Sequence, residues 1–269
     1  MSRPPPSSDS AARGIPTGTD GTFVFFALAC TLTWSLAAPM AWALLNHRVA
    51  SPLAVAGAGA SAFGPLLAAL VLAGRQRQLR VVFGRWRANA AWIALALIAP
   101  AVVHALGNLF YVIVGGPLDR WFYPPGAPEQ LAALVVFPLG EEFGWRGFAH
   151  PRLVHRHGLV KGSLIVGLGW GLWHLMYSIN ASTGRVDWLG LGLLCIELPL
   201  DSVIVGGLFE RSDRSMAVAI AFHVGAHLDN FQRAPRSDLR LQAMHIGALA
   251  LAAAAVFALR GRDFRERRI

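Results

Sequence analysis

Charged residues and cysteines are scarce in this sequence. Only 14% of the 269 residues are Asp, Glu, Lys or Arg, whereas 55% are hydrophobic and the mean hydropathy is +0.48. A soluble domain would carry about 25% charged residues, so this composition argues against one. The two cysteines, Cys30 and Cys195, lie inside apolar runs, and their placement indicates neither a disulfide framework nor a catalytic thiol.

Long apolar stretches predict an all-α, polytopic membrane protein with about eight transmembrane helices. We expect residues 1–22, which are rich in Pro, Ser, Gly and Thr, to form a disordered tail. Residues 23–260 would form a single membrane domain, and residues 261–269 a basic cytoplasmic tail. The candidate spans are residues 23–45, 52–73, 91–115, 128–149, 162–180, 187–209, 215–230 and 243–259.

The basic residues predict how these helices are oriented. If the N-terminus is cytoplasmic, the inside segments carry 2, 5, 3, 2 and 5 Lys or Arg, which is 17, and the outside loops carry 1, 1, 1 and 3, which is 6. Arg146 completes the total of 24. Because cytoplasmic loops are enriched in basic residues, this asymmetry favours a plasma membrane protein with both termini in the cytoplasm. Membrane orientation then explains the net charge of +9, and we expect no nucleic acid partner.

Ionisable residues inside the spans are the candidates for function, since they are costly in a bilayer and usually face the interior of a bundle. In the stretch "LGEEFGWRGFAH", Glu142 and Arg146 are four residues apart and can pair on one helix face. Glu141 points about 100° away and would remain available to titrate. By default we expect a structural role for Glu197 and Asp201 on the sixth span and for His104 on the third.

Histidines occur in two further spans. His174 closes the stretch "GWGLWH", and His223, His227 and Asn230 form one polar stripe in "AFHVGAHLDN". In the expected topology, Glu141, His174 and His223 would lie about 10–20 Å from the cytoplasmic helix ends, at 1.5 Å per residue. They could therefore meet in one cavity open to the cytoplasm.

A carboxylate with several histidines suits general-base activation of water, ligation of a metal ion or proton relay. The sequence has no HExxH, GxGD or GxSG motif, which argues against zincin-like, aspartyl and serine intramembrane proteases. Helical spacing would let His223 and His227 bind a divalent metal such as zinc together with Glu141 and His174. These alternatives stay open on the residues alone.

Three motifs in order resemble the CPBP family, which comprises CAAX proteases and bacteriocin-processing enzymes and is also called the Abi family. "EEFGWR" matches EExxxR, "WGLWH" is similar to FxxxH, and "HVGAH" occupies the position of HxxxN. The resemblance covers residues 128–230. It implies an eight-helix intramembrane endopeptidase that cleaves a protein or peptide substrate in the bilayer, with either a metal-dependent or a metal-free, glutamate-based mechanism; we favour no required cofactor.

The resemblance also implies roles for individual residues. Glu141 would activate water with help from His174, and Glu142 and Arg146 would orient their helix. His223 and the group four residues later would stabilise the oxyanion. Two positions depart from the family pattern, since Trp170 stands where the motif has Phe and His227 where it has Asn; Asn230 could replace that Asn.

Two other functions remain as alternatives. The polar cluster could serve a non-catalytic membrane scaffold or immunity protein, or a proton-coupled transporter that uses Glu141 and the histidines as a relay. Transporters often contain repeated halves, and this sequence shows none, which makes a transporter the less favoured of the two.

Overall fold

A computed structural model describes residues 20–122, 124–228 and 238–266, and within these ranges the protein is almost entirely helical. Its only strands there, β1 (Ile179–Asn180) and β2 (Arg185–Val186), form a short antiparallel hairpin. The helices are α1 (Asp20–Leu45), α2 (Pro52–Ser61), α3 (Gly64–Arg75), α4 (Leu79–Phe83), α5 (Ala90–Ile113), α6 (Pro128–Gly144), α7 (His150–His157), α8 (Leu159–Trp173), α9 (Trp188–Arg211), α10 (Met216–Leu228) and α11 (Leu239–Glu266).

Within the described ranges, five segments are long and apolar enough to cross a bilayer, namely α1, α5, α9, α11 and α8 together with the 3₁₀ turn His174–Tyr177. Helices α2 and α3 meet at an angle of 56° and could form a sixth crossing. The expected all-α polytopic membrane fold is thus confirmed, and every one of the eight candidate spans contains a helix. The fourth and seventh correspond to α6 and α10, which are shorter, at 17 and 13 residues.

The first and last helices extend beyond the expected ends of the membrane domain, residues 23 and 260. Helix α1 begins at Asp20, and residues 1–19 of the predicted tail lie outside the described ranges. At the other end α11 continues to Glu266, beyond the expected boundary at residue 260. Three of the six residues from 261 to 266 are Arg or Glu, which are good helix formers, and no proline interrupts the stretch.

The expected cytoplasmic loop 149–161 is largely helical. After α6 the chain continues through a π-helical turn, Trp145–Ala149, directly into α7. All five residues of the π turn are buried. Such π turns inside helices frequently occur at functional sites, because the extra residue per turn redirects neighbouring side chains.

Glycines in α6 and α8 allow backbones to approach closely around this turn. A Cβ added at Gly140 would lie 2.7 Å from the carbonyl oxygen of Ala62, in the break between α2 and α3. A Cβ at Gly167 would lie 2.3 Å from Cα of Pro199 in α9. The sequence separations Gly140/Gly144 and Gly167/Gly171 therefore mark real helix contacts, as GxxxG spacing indicates.

Gly167→Ala should destabilise the protein by about 1–3 kcal/mol, because the new methyl group would overlap backbone atoms of α9 that cannot rotate away. Thermal unfolding in detergent measures the effect. Gly192→Ala on α9 is the matched control, since a Cβ there meets no atom within 4 Å and alanine favours the helix. Equal unfolding temperatures for the two variants would contradict this account of the α8–α9 contact.

Candidate active site

Glu142 lies at the centre of a buried ionic cluster that joins α6 to α10. Arg146 Nη1 donates a hydrogen bond to Glu142 Oε1 at 2.9 Å, so the pair expected from their spacing is present. Nδ1 of His223 lies 2.8 Å from the same carboxylate oxygen. Glu142 and Arg146 are both fully buried, and His223 is 3% exposed. The contact with His223 could not be read from sequence, because it connects residues on different helices.

Glu141 lies next to this cluster and contacts α8 instead. Its Oε2 accepts a hydrogen bond from the indole Nε1–H of Trp170 at 2.7 Å, and its side chain is almost fully buried. The Arg146 guanidinium carbon lies 4.9 Å from the centroid of the Trp170 ring. From sequence, Trp170 was interpreted only as a bulky replacement for Phe; its N–H, which Phe lacks, was the signal for this contact.

Hydrogen bonds orient the histidines expected at the site. His174 begins the 3₁₀ turn after α8, and its Nδ1 lies 2.8 Å from the backbone carbonyl oxygen of Trp170. Because a carbonyl only accepts, Nδ1 carries the hydrogen and a neutral His174 has an accepting Nε2. On α10, Nε2 of His223 and Nε2 of His227 are 3.2 Å apart.

A cavity of about 130 Å³ lies beside these groups, bounded by α5, α8, α9, α10 and α11. Three of the expected site residues, His174, His223 and His227, line it. Glu141 is not among the lining residues and lies behind the indole of Trp170, which is one of them. Glu142 and Arg146 lie behind His223, and Asn230 falls outside the described residues.

The far wall of the cavity is more polar than the sequence suggested. Glu197, Asp201 and His104, for which a structural role was expected, all line it. His245 of α11, which sequence reasoning did not single out, also lines the cavity and binds Asn108 of α5 at 2.8 Å. A histidine within an otherwise apolar helix was the signal that could have identified it.

The side chains do not assemble into the metal site considered from sequence. Across the described parts of the chain, no group of three or more His, Cys, Asp or Glu residues is arranged to hold a metal ion. The set Glu141, His174, His223 and His227 is divided, because Glu141 is turned toward Trp170 while His223 is bonded to Glu142.

The fold and the buried cluster define a polytopic α-helical membrane protein with a glutamate–histidine site. A family model described as "Type II CAAX prenyl endopeptidase Rce1-like" matches residues 124–228, a range that includes all of α6 to α10. The chain is also similar to "CAAX prenyl protease 2" of Methanococcus maripaludis, with 28% identity over 183 aligned positions; the alignment covers 64% of this chain and 66% of that protein. The match thus spans just under two thirds of that relative, and it confirms the resemblance to CAAX-type proteases.

Arg146→Met should destabilise the fold by about 3–5 kcal/mol, because it leaves the Glu142 carboxylate buried without its cation. Arg85→Met is the matched control: Arg85 lies 3.7 Å from Asp213 at an exposed position, and such pairs contribute about 0–1 kcal/mol. Thermal unfolding of both purified variants tests this. Similar small losses would mean that the buried pair is not needed for folding.

Proposed function

We propose that this protein is an intramembrane endopeptidase that hydrolyses a peptide bond of a protein or peptide substrate. The observation that carries the proposal is the convergence of α6, α8 and α10, which place Glu141, His174 and His223 around Trp170 beside one cavity. The similarity of residues 124–228 to prenyl endopeptidases supports the same reaction class. The site contains a carboxylate base, an imidazole acceptor and hydrogen-bond donors, which are the groups that water attack on a carbonyl requires.

In the proposed reaction, Glu141 is the general base. Water passes from the cavity between Trp170 and His174 to reach Glu141, and the accepting Nε2 of His174 orients one of its hydrogens. Glu141 takes a proton from water as the water oxygen forms a bond to the carbonyl carbon. The π electrons of the C=O bond move onto the carbonyl oxygen, which becomes the oxyanion. Collapse of this intermediate breaks the C–N bond, and Glu141 returns the proton to the departing amine.

The proposed oxyanion donor is His227, and its tautomer follows from the ionic cluster. An ionised Glu142 can only accept, so His223 carries its hydrogen on Nδ1 and has an accepting Nε2. The short contact between the two rings then requires the hydrogen on Nε2 of His227. This N–H would turn to the developing oxyanion when substrate displaces the contact. Removing one such donor lowers kcat by about 10²–10³-fold in other hydrolases.

The groups at this site define the substrate only as a molecule with a peptide bond. The name of the archaeal relative refers to prenylated CAAX proteins, which is a statement about that protein. For this chain we propose a membrane-associated protein or peptide that reaches the cavity from the cytoplasmic side, with the lipid bilayer as the surrounding medium.

We further propose that both termini are cytoplasmic and that the protein resides in the plasma membrane, because 17 of the 24 basic residues would then lie inside. Single cysteines placed at Arg48 and Arg156 in a variant without Cys30 and Cys195 test the orientation. A membrane-impermeant thiol reagent added to intact cells should label position 48 and leave position 156 unlabelled. The opposite pattern would invert the proposed topology.

Glu141→Gln and His174→Ala should each reduce cleavage of reporter peptides by the purified protein at least 10²-fold, because each removes a group that handles the attacking water. His227→Asn, which restores the family residue, should retain much of the activity, whereas His227→Leu should lose about 10²-fold. His155→Ala, at an exposed position on α7, is the control and should cleave normally. Unfolding temperatures show whether each variant is folded.

The same preparation separates the alternatives. Full cleavage by the Glu141→Gln variant would show that Glu141 is not the general base. Activity that is lost with a chelator and restored by zinc would favour metal chemistry. A folded wild-type protein that cleaves no peptide in a broad library would favour a scaffold. Proton-driven flux in liposomes would favour a transporter.

A further inference from the structure

Trp170 contacts more of the proposed machinery than any role as an apolar filler would require. Its side chain is 5% exposed and its indole N–H donates to Glu141. Its ring lies beneath the Arg146 guanidinium and edge-on to the ring of His223, with centroids 5.1 Å apart. Its backbone carbonyl accepts the Nδ1 hydrogen of His174. Through one residue, the base, its histidine partner and the ionic cluster are fixed relative to one another.

The contact with Glu141 depends on chemistry that a phenylalanine lacks. A Phe ring at this position could pack against His223 and Arg146, but it has no N–H for a carboxylate. The hydrogen bond at 2.7 Å is short and lies in a buried environment, where a charge-assisted bond strongly restricts the orientation of the carboxylate. This residue therefore gives Glu141 a fixed rotamer that packing alone would not specify.

We propose that Trp170 is a positioning residue of the hydrolysis: it holds Oε2 of Glu141 so that Oε1 accepts the proton from water. This inference rests on the proposed function. The indole is itself held from two sides, by the cation over its ring and by the edge-on ring of His223. Losing the indole N–H would therefore free Glu141 to move, while the bond of His174 to the backbone carbonyl of residue 170 stays in place. Small misplacements of reacting groups can cost about 10²-fold in rate.

Replacing the indole N–H while keeping the ring isolates this role. Incorporation of β-(3-benzothienyl)alanine at position 170 exchanges the N–H for sulfur and retains the size of the ring and its face toward Arg146. With a cleaved reporter peptide, kcat should fall about 10- to 100-fold and KM should stay within about twofold, because substrate contacts are unchanged while the base loses its orientation. Trp170→Phe should show the same division between kcat and KM.

Trp173, three residues later, is the matched control. It is also buried, and its Nε1–H donates a hydrogen bond of the same length, 2.7 Å, to Thr33 Oγ1 and not to Glu141. Its ring packs edge-on to His174, with centroids 4.9 Å apart, and the analogue keeps that ring. Benzothienylalanine at position 173 deletes an equivalent buried bond and should lower the unfolding temperature to a similar degree. Its kcat should remain within about twofold of the wild-type value, so a merely structural effect is separated from positioning.

The indole ¹⁵N–¹H NMR resonance of Trp170, assigned by its loss in Trp170→Phe, reports the contact without any cleavage assay. It should shift in Glu141→Gln, because an amide accepts more weakly than a carboxylate. An unchanged resonance would overturn the contact and the proposal with it. Equal losses of kcat at positions 170 and 173, or an unchanged kcat at 170 in an active enzyme, would overturn positioning alone. A folded wild type that cleaves nothing would instead overturn the proposed function.

Discussion

One oxygen atom, Oε1 of Glu142, organises the interior of this protein. It accepts a hydrogen bond from Arg146, one helical turn later in the chain, and contacts Nδ1 of His223 on α10. A guanidinium this deeply buried needs a compensating anion, and removing either partner of such a pair is far more costly than losing a surface ion pair. The cation held in this way lies over Trp170, which in turn bonds to Glu141 and to the ring of His174. Every group of the proposed mechanism is thus connected to that one carboxylate.

The cluster can form only because the helix backbones approach unusually closely. Gly144 meets Pro65 with no room for a side chain, and Gly147 in the π turn meets the carbonyl oxygen of Val82. These contacts press the Glu141–Arg146 stretch against α3 and α4 on one side, so that its carboxylates project toward α8 and α10 on the other. Close packing of backbones and burial of the ion pair are two aspects of one arrangement, since a looser bundle would admit water around the charges.

Local signals in the sequence predicted the parts of this arrangement that depend on neighbours along the chain. Apolar runs marked eight regions that each contain a helix, although they missed α4 and α7, and a separation of four residues predicted the Glu142–Arg146 pair. The contact between Glu142 and His223 spans 81 residues and has no local signature. The π turn was missed because a helix of ordinary period was assumed through Trp145–Ala149. Likewise, the polar far wall appears only when α5, α9 and α11 are brought together around the cavity.

The two departures from the CPBP pattern, Trp170 and His227, acquire a common meaning in this arrangement. Each places a ring N–H next to the Glu142 cluster. The Arg146 cation lies over the ring of Trp170 and helps to position its N–H, whereas the tautomer of His227 follows from that of His223. An amide at position 227 would offer its hydrogens whatever its neighbours do, whereas an imidazole donates from Nε2 only while His223 accepts there. His223 accepts only because Glu142 holds its other nitrogen. The proposed oxyanion donor is therefore specified by an ion pair on a different helix, so that in this chain the residues that orient the site also determine where its protons reside.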